Sequence, residues 1–493
     1  MSRKSLSASF EKEVGRRRIQ YHFTTRDQLF PIQFKTNSRT TMRQMIMTLA
    51  AAAVAVPAYS QDANDVSALK AQVNALMQRI EQLEKDNSAK ASAPAAPQDA
   101  VTKGNIPGSF KLPGSNTSIS LSGYVKGQMA YSNRGPLGNP GGSDELLIPS
   151  MIPLSNTPNT ALKKNYWKAS AKESRLTLRT HTPSSWGPIT TLLEADFYGT
   201  AGTETATNSN NPRLRHAWGT IGSFGAGQYW SNIANLSAVP ETIDFTPQIG
   251  IFGPFRQAGV RWTQPTSFGF WSAAIENPES RIISMAGAVT GPDNDKSPLF
   301  NGKLHFKLGP GEYEAVGVLQ RVNTAEAAFG AEPAPQRSLS KTGYGLGFSG
   351  FIPTTGDYNR IMFGVSATRN MGRTQGALFG DAVLVTSGTG AAMTGELRGV
   401  DTRGGFVAYR HRWTPSLRST LAYSRVSGDY PDGLAAAAGS VLDKSFWTAH
   451  ANLIWSPAPE VDLGIEYLRA SRQVESGLSG TLSRLMMSAK YKF

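Results

Sequence analysis

The sequence predicts an all-β transmembrane barrel of about 16 antiparallel strands, preceded by a short N-terminal α-helical coiled coil. Three observations predict it. From Phe110 onward apolar and polar side chains alternate in runs long enough to cross a bilayer as tilted strands, because a strand turns successive residues to opposite faces. The connections between the runs are short and long in strict alternation. No stretch after residue 60 approaches the ~18–20 continuous apolar residues of a spanning helix.

The elements follow in chain order. Residues 1–41 are basic and patternless, and are expected to be a non-native extension, with translation starting at Met42, Met45 or Met47. Residues 42–60, "MRQMIMTLAAAAVAVPAYS", read as a signal peptide: Arg43 supplies the charge, Ile46 to Val56 the apolar region, and Ala58 and Ser60 flank a cut before Gln61. Within 61–90, Val66, Leu69, Val73, Leu76, Ile80 and Leu83 recur at alternating spacings of three and four. That is a coiled-coil seam with β-branched residues at a and Leu at d. It is short enough that something else must bring the chains together. Residues 91–109 form an Ala/Pro-rich linker.

Residues 110–493 are the barrel. Its first strand, "SISLSGYVKGQMAY", puts Ile119, Leu121, Val125 and Met129 on one face and Ser120, Ser122, Lys126 and Gln128 on the other. Others are expected near 173–182, 188–199, 212–221, 224–231, 255–264, 267–276, 302–308, 312–321, 341–351, 359–369, 400–412, 416–427, 444–456, 460–472 and 481–493. Turns such as "GSFG", "LGPG" and "SPAPE" follow the even strands and long loops follow the odd ones. A barrel with one short-turn rim sorts its connections this way. Trp262, Trp413, Trp455, Tyr491 and Phe493 fall near strand ends at that rim, and Phe268 and Phe270 open a strand leaving it. Aromatics gather at headgroup depth. The terminal "RLMMSAKYKF" alternates to its last residue, so it is expected to close the barrel with Leu485, Met487, Ala489, Tyr491 and Phe493 toward lipid.

Charge and composition exclude other classes. Of the net +14, the barrel carries 35 Lys/Arg against 27 Asp/Glu, spread along the chain. Nucleic-acid binding would need a compact basic stripe, so no nucleic-acid partner is expected. The chain has no Cys, which suits an exported protein without disulfides. "GLGFSG" at 345–350 fits G-x-G-x-x-G but lies inside an alternating strand and opens no helix. His22, His181, His216, His305, His411 and His450 show no metal-ligand spacing, and no nucleophile elbow occurs. An enzyme, a metal and a cofactor are therefore not expected.

Function must lie on the parity that lines the pore. Arg175, Thr177, Arg179 and His181 share one face of the second strand. Arg213 and Arg215 oppose Leu214 and Trp218 on the fourth, and Arg261 opposes Val260 and Trp262 on the sixth. Such a wall attracts anions, since Arg is always charged and its fork matches a carboxylate. The plainer reading is a solvated wall paired with Glu194 and Asp196 of the third strand. The third long loop, "SNIANLSAVPETIDFTPQIGIFGP", is expected to fold inward, bringing Glu241 and Asp244 to the constriction.

The heptad segment, "GSFKLPGSNTSISLSGYVKGQMAYS", "RLRHAWGTIGSFGAGQYWS", "AAIENPES", "LGIEYLRASRQV" and "AKYKF" together resemble the DcaP-like trimeric porins of Gram-negative outer membranes. The resemblance implies a sixteen-stranded homotrimer in contact with outer-membrane lipid and lipopolysaccharide, with a periplasmic coiled coil, passing small anionic solutes and dicarboxylates especially. Arg213, Arg215 and Lys126 match the family's positively charged lumen positions. The loops 370–399 and 428–443 match nothing in that pattern. A phosphate- or general-solute porin and a structural or adhesive barrel remain as alternatives. A sugar porin would need a ladder of lumen aromatics, which the assigned faces lack.

Overall fold

The computed structural model describes residues 18–20, 31–33, 71–82, 85 and 101–493, apart from 138–143, 200–206, 247, 286, 290–294, 325–338, 357, 378, 389–393 and 433–441. The expected signal peptide, and Val66, Leu69 and Leu83 of the expected heptads, lie outside the described residues. Residues 71–82 are helical, with Val73, Leu76 and Ile80 exposed.

Sixteen strand positions close an antiparallel barrel. β1 is Ser118–Pro136. β2 is broken: Leu162–Ser170 pairs with the far half of β1 and Arg175–Thr182 with its near half. β3 is Ile189–Asp196, β4 Arg213–Ile221, β5 Phe224–Trp230, β6 Arg256–Pro265, β7 Gly269–Glu276 and β8 Leu299–Leu308. β9 is Gly311–Asn323, β10 Ser340–Pro353, β11 Arg360–Arg369 and β12 Asp401–Thr414. β13 is Leu417–Asp429, β14 Asp443–Ala458, β15 Val461–Val474 and β16 Ser479–Lys492. Each expected strand is present, and β16 pairs with β1 to close the cylinder.

Alternation sets the two faces. Leu121, Val125 and Met129 of β1 are exposed on the outside, while Ser120, Lys126 and Gln128 are buried inside. Tyr491 and Phe493 are 53% and 62% exposed, and the Phe493 backbone exchanges two 3.1 Å hydrogen bonds with Gly123. Of the rim aromatics, Phe270 departs from expectation. It turns inward and stacks on His305 at 4.7 Å.

The lumen face of β9–β16 is partly apolar, which a water-filled cylinder would not need. Val316, Val318, Phe351, Met362, Phe406, Val426 and Phe446 are buried there beneath inward-folded loops. Burying them against the loops' own Ile and Phe side chains supplies the driving force for folding inward, at ~25 cal/mol per Å² of apolar surface.

Candidate functional site

The loop joining β5 to β6, residues 231–255, crosses the barrel interior. It leaves β5 with Ser231 Oγ donating to Glu276 and the Asn232 amide donating to the same carboxylate, both at 2.6 Å. Lys303 Nζ donates to the Ala234 carbonyl at 2.7 Å, and Asn235 Nδ2 to Ser349 Oγ at 3.0 Å. On the far side Asn452 Nδ2 donates to the Glu241 carbonyl at 2.8 Å. The Ile243 and Asp244 amides donate to the Glu466 carboxylate at 2.8 and 3.2 Å. Lys126 Nζ donates to the Ile243 carbonyl at 2.9 Å. These partners lie on β7, β8 and β10, then on β14, β15 and β1, so the loop spans the lumen.

Its return path explains the glycines of "YGLG". Gly345 and Gly347 face the lumen, and a Cβ at Gly347 would stand 2.7 Å from the Phe252 ring. The sequence suggested a dinucleotide loop only formally. The glycines are where β10 receives the ring of Phe252.

Between the loop's tip and the strands lies a chamber of about 790 Å³. Its walls carry eleven basic side chains (Lys126, Arg175, Arg179, Arg215, Arg256, Arg360, Arg410, Arg412, Arg418, Lys490, Lys492) and five acidic ones (Glu173, Glu194, Glu241, Asp244, Asp462). Eleven less five leaves six positive charges in excess.

The predicted arginine wall is present, and it is heavily paired. Arg215 reaches Glu194 at 2.7 Å and Asp196 at 2.9 Å. Arg213 holds Asp196 through two bonds of 2.9 and 2.7 Å. Arg175 stands 3.6 Å from Glu194, and Arg179 donates to Ser122 Oγ at 3.1 Å. Lys126 pairs with Glu173, which the break in β2 brings inside. Arg261 donates to the Trp230 carbonyl at 2.6 Å and lies 3.8 Å from Glu276. Lys126, Arg175, Arg179 and Arg215 line the chamber; Arg213 and Arg261 stand outside its lining.

One face assignment is corrected. The register of β3 against β4 shifts between Glu194 and Ala195, leaving Arg215 as an extra residue beside His216. Such a bulge exchanges the faces beyond it. Trp218 therefore turns inward, with the Arg261 guanidinium 5.5 Å from its ring centre, rather than outward beside Leu214.

The two loop acids are both engaged. Glu241 binds Arg418 through two 2.9 Å hydrogen bonds, and Asp244 is buried 3.7 Å from Arg484. Arg418 also meets Asp462 at 3.2 Å.

A second basic wall was missed in the sequence. Arg360, Arg410, Arg412 and Arg418 come from β11, β12 and β13, with Arg410 and Arg412 over the Tyr358 ring at 3.9 and 3.8 Å. The signal was available in "YRHRW", where two arginines share one parity beside a rim Trp. Among the described residues Arg256, Arg360 and Arg412 form no salt bridge, and lie instead on Trp230, Phe351 and Tyr358. An Arg over an aromatic face stays charged while its fork remains available.

A closed sixteen-strand barrel with a loop folded through its lumen and a charged chamber beside that loop is an outer-membrane channel. The model of the DcaP outer membrane protein family matches residues 45–267 and 401–493, more than half of the sequence, and the chain belongs to that family. Among solved structures it is similar to the outer membrane channel DcaP of Acinetobacter baumannii, with 25% identity, a TM-score of 0.61, and 78% of this chain and 99% of that chain covered. The anion-selective porin from Comamonas acidovorans is more distant, at 11% identity and a TM-score of 0.45 over 76% of this chain and 100% of that one. No curated protein sequence matched.

Proposed function

We propose that this chain is a homotrimeric outer-membrane porin passing small anionic solutes, dicarboxylates among them, by passive diffusion. In that reading the signal peptide directs export, the coiled coil stands in the periplasm, and the barrel's outer face meets lipid and lipopolysaccharide. The observation that carries it is the chamber's excess of six positive charges. A low-dielectric wall focuses such a field and raises the local anion concentration.

In this reading Arg213 and Arg215 add little attraction, because Glu194 and Asp196 offset their charge. Attraction falls instead to guanidiniums that form no salt bridge among the described residues, on two walls: Arg256 on β6, and Arg360 and Arg412 on β11 and β12. A solute with a carboxylate at each end can meet one wall with each. Competition tests the reading: millimolar succinate should depress chloride current through the protein in a planar bilayer, and a monovalent carboxylate should do so less. Equal effects of the two would overturn the dicarboxylate preference.

A further inference from the structure

The loop joining β11 to β12, residues 370–400, also folds inward. The family's match omits residues 268–400, the stretch that includes it. Ala382–Ser387 pairs antiparallel with Thr394–Gly399 and parallel with Ile282–Ser284, making a small sheet at the long-loop rim. The buried Asp381 carboxylate accepts the amides of Arg281 and Arg373 at 2.8 and 2.9 Å, tying the loop to its neighbour.

From that sheet the loop reaches into the barrel. The Gly253 amide donates to the Thr374 carbonyl at 2.8 Å, and a Cβ on Gly376 would stand 2.7 Å from the Ile249 carbonyl oxygen. The loop thus lies directly on the β5–β6 loop. Gln375 is fully buried, with Ser366 Oγ donating to it at 3.1 Å from the lumen face of β11. Phe379 packs edge-on against Phe446 of β14 at 5.7 Å and covers Gly428 of β13, where a Cβ would meet its ring at 2.7 Å. Phe379, Ile249, Ala377, Val426 and Phe446 form one apolar cluster between loop and wall.

We infer that the 370–400 loop is a second pore-narrowing element, which fills the β11–β14 side of the lumen above the β5–β6 loop and sets the solute size limit of this channel. The loop covers the wall there through Val426 and Phe446, and through Ser366, which donates to Gln375. The loop therefore narrows the lumen on the β11–β14 side, and the size limit belongs to a segment outside the residues that the family model matches.

Two variants test this in the full-length protein. In one, residues 372–399 are replaced by a short Gly-Ser link. In the other, Gly428→Leu puts a side chain where Phe379 now lies, with the sequence of the β5–β6 loop unchanged. Barrel folding is checked by the heat-dependent shift on SDS gels, and the readouts are single-channel conductance and liposome swelling in glucose, sucrose and raffinose. The inference expects folded variants whose conductance rises roughly two-fold or more and which admit the larger sugars faster than the parent. A folded variant with the parent's conductance and sugar ranking overturns it, whether or not the parent is anion selective. If the excision does not fold, the Gly428→Leu result decides.

Discussion

Glu466 is the point from which the tip of the β5–β6 loop can be loosened most selectively. Its fully buried carboxylate accepts the Ile243 and Asp244 amides at 2.8 and 3.2 Å, Asn452 Nδ2 at 3.1 Å, and lies 3.1 Å from His450 Nδ1. Hydrogen bonds to a charged group contribute ~1.5–3 kcal/mol against ~0.5–1.5 for neutral ones. Glu466→Gln therefore weakens the two amide contacts by about 2 kcal/mol together, or roughly a thirty-fold rise in the detached tip at ~1.4 kcal/mol per decade. Glu466→Ala also leaves two amides and an imidazole buried without their acceptor, a loss on the order of 3–5 kcal/mol and more than a hundred-fold. The loop stays tethered through Glu276 and Arg418, so the barrel should still form. Single-channel recording should show added current noise and brief closures, slight for Gln and strong for Ala. A folded Ala variant as quiet as the parent would refute the assignment of Glu466 as the tip's anchor.

Other outcomes follow from the same geometry. Arg213→Ala with Arg215→Ala strips Glu194 and Asp196 of their closest partners, so thermal stability should fall by roughly 3–5 kcal/mol and anion selectivity should drop; adding Glu194→Gln and Asp196→Asn should restore selectivity nearly to the parent's, because the four charges cancel. Gly347→Val forces the Phe252 ring away at a cost of about 1–3 kcal/mol, and Phe252→Ala in the same chain should recover part of the lost unfolding temperature. Burial pushes the Asp381 carboxyl up to about 6 from its ordinary 3.8, despite the nearby Arg373. A raised carboxyl favours the folded loop while protonated, so about 3 kcal/mol of its hold is present below pH ~4 and lost by pH ~6. Proteolysis of the 370–400 loop should thus quicken as pH rises through that window, and Asp381→Asn should flatten the dependence.

The barrel was legible because alternation, turn length and rim aromatics are local signals that agree. All three mark the same sixteen strands. The site was legible in part, down to the pairing of the arginine wall with Glu194 and Asp196 that one of its two readings gave. Arg213 and Arg215 sit on the lumen parity as read, but the bulge at Arg215 that brings Trp218 inside leaves no mark in the pattern. The inward course of the β5–β6 loop was expected from the sequence, and with it the arrival of Glu241 and Asp244 inside. What receives it was not, since the seat of Phe252 on Gly345 and Gly347 joins segments far apart in sequence. A different clue went unused. Val316, Val318, Met362 and Phe406 place apolar groups on the parity assigned to water, which signals that loops cover them.

The central claim is that uncompensated guanidiniums in the chamber make this pore select anions. Its most direct test is the zero-current potential across a planar bilayer under a potassium chloride gradient, measured for the parent and for a variant carrying Arg256→Gln, Arg360→Gln and Arg412→Gln. The account predicts an anion-selective parent whose selectivity falls sharply in the variant. A cation-selective parent, or a folded variant with the parent's potential, would contradict it.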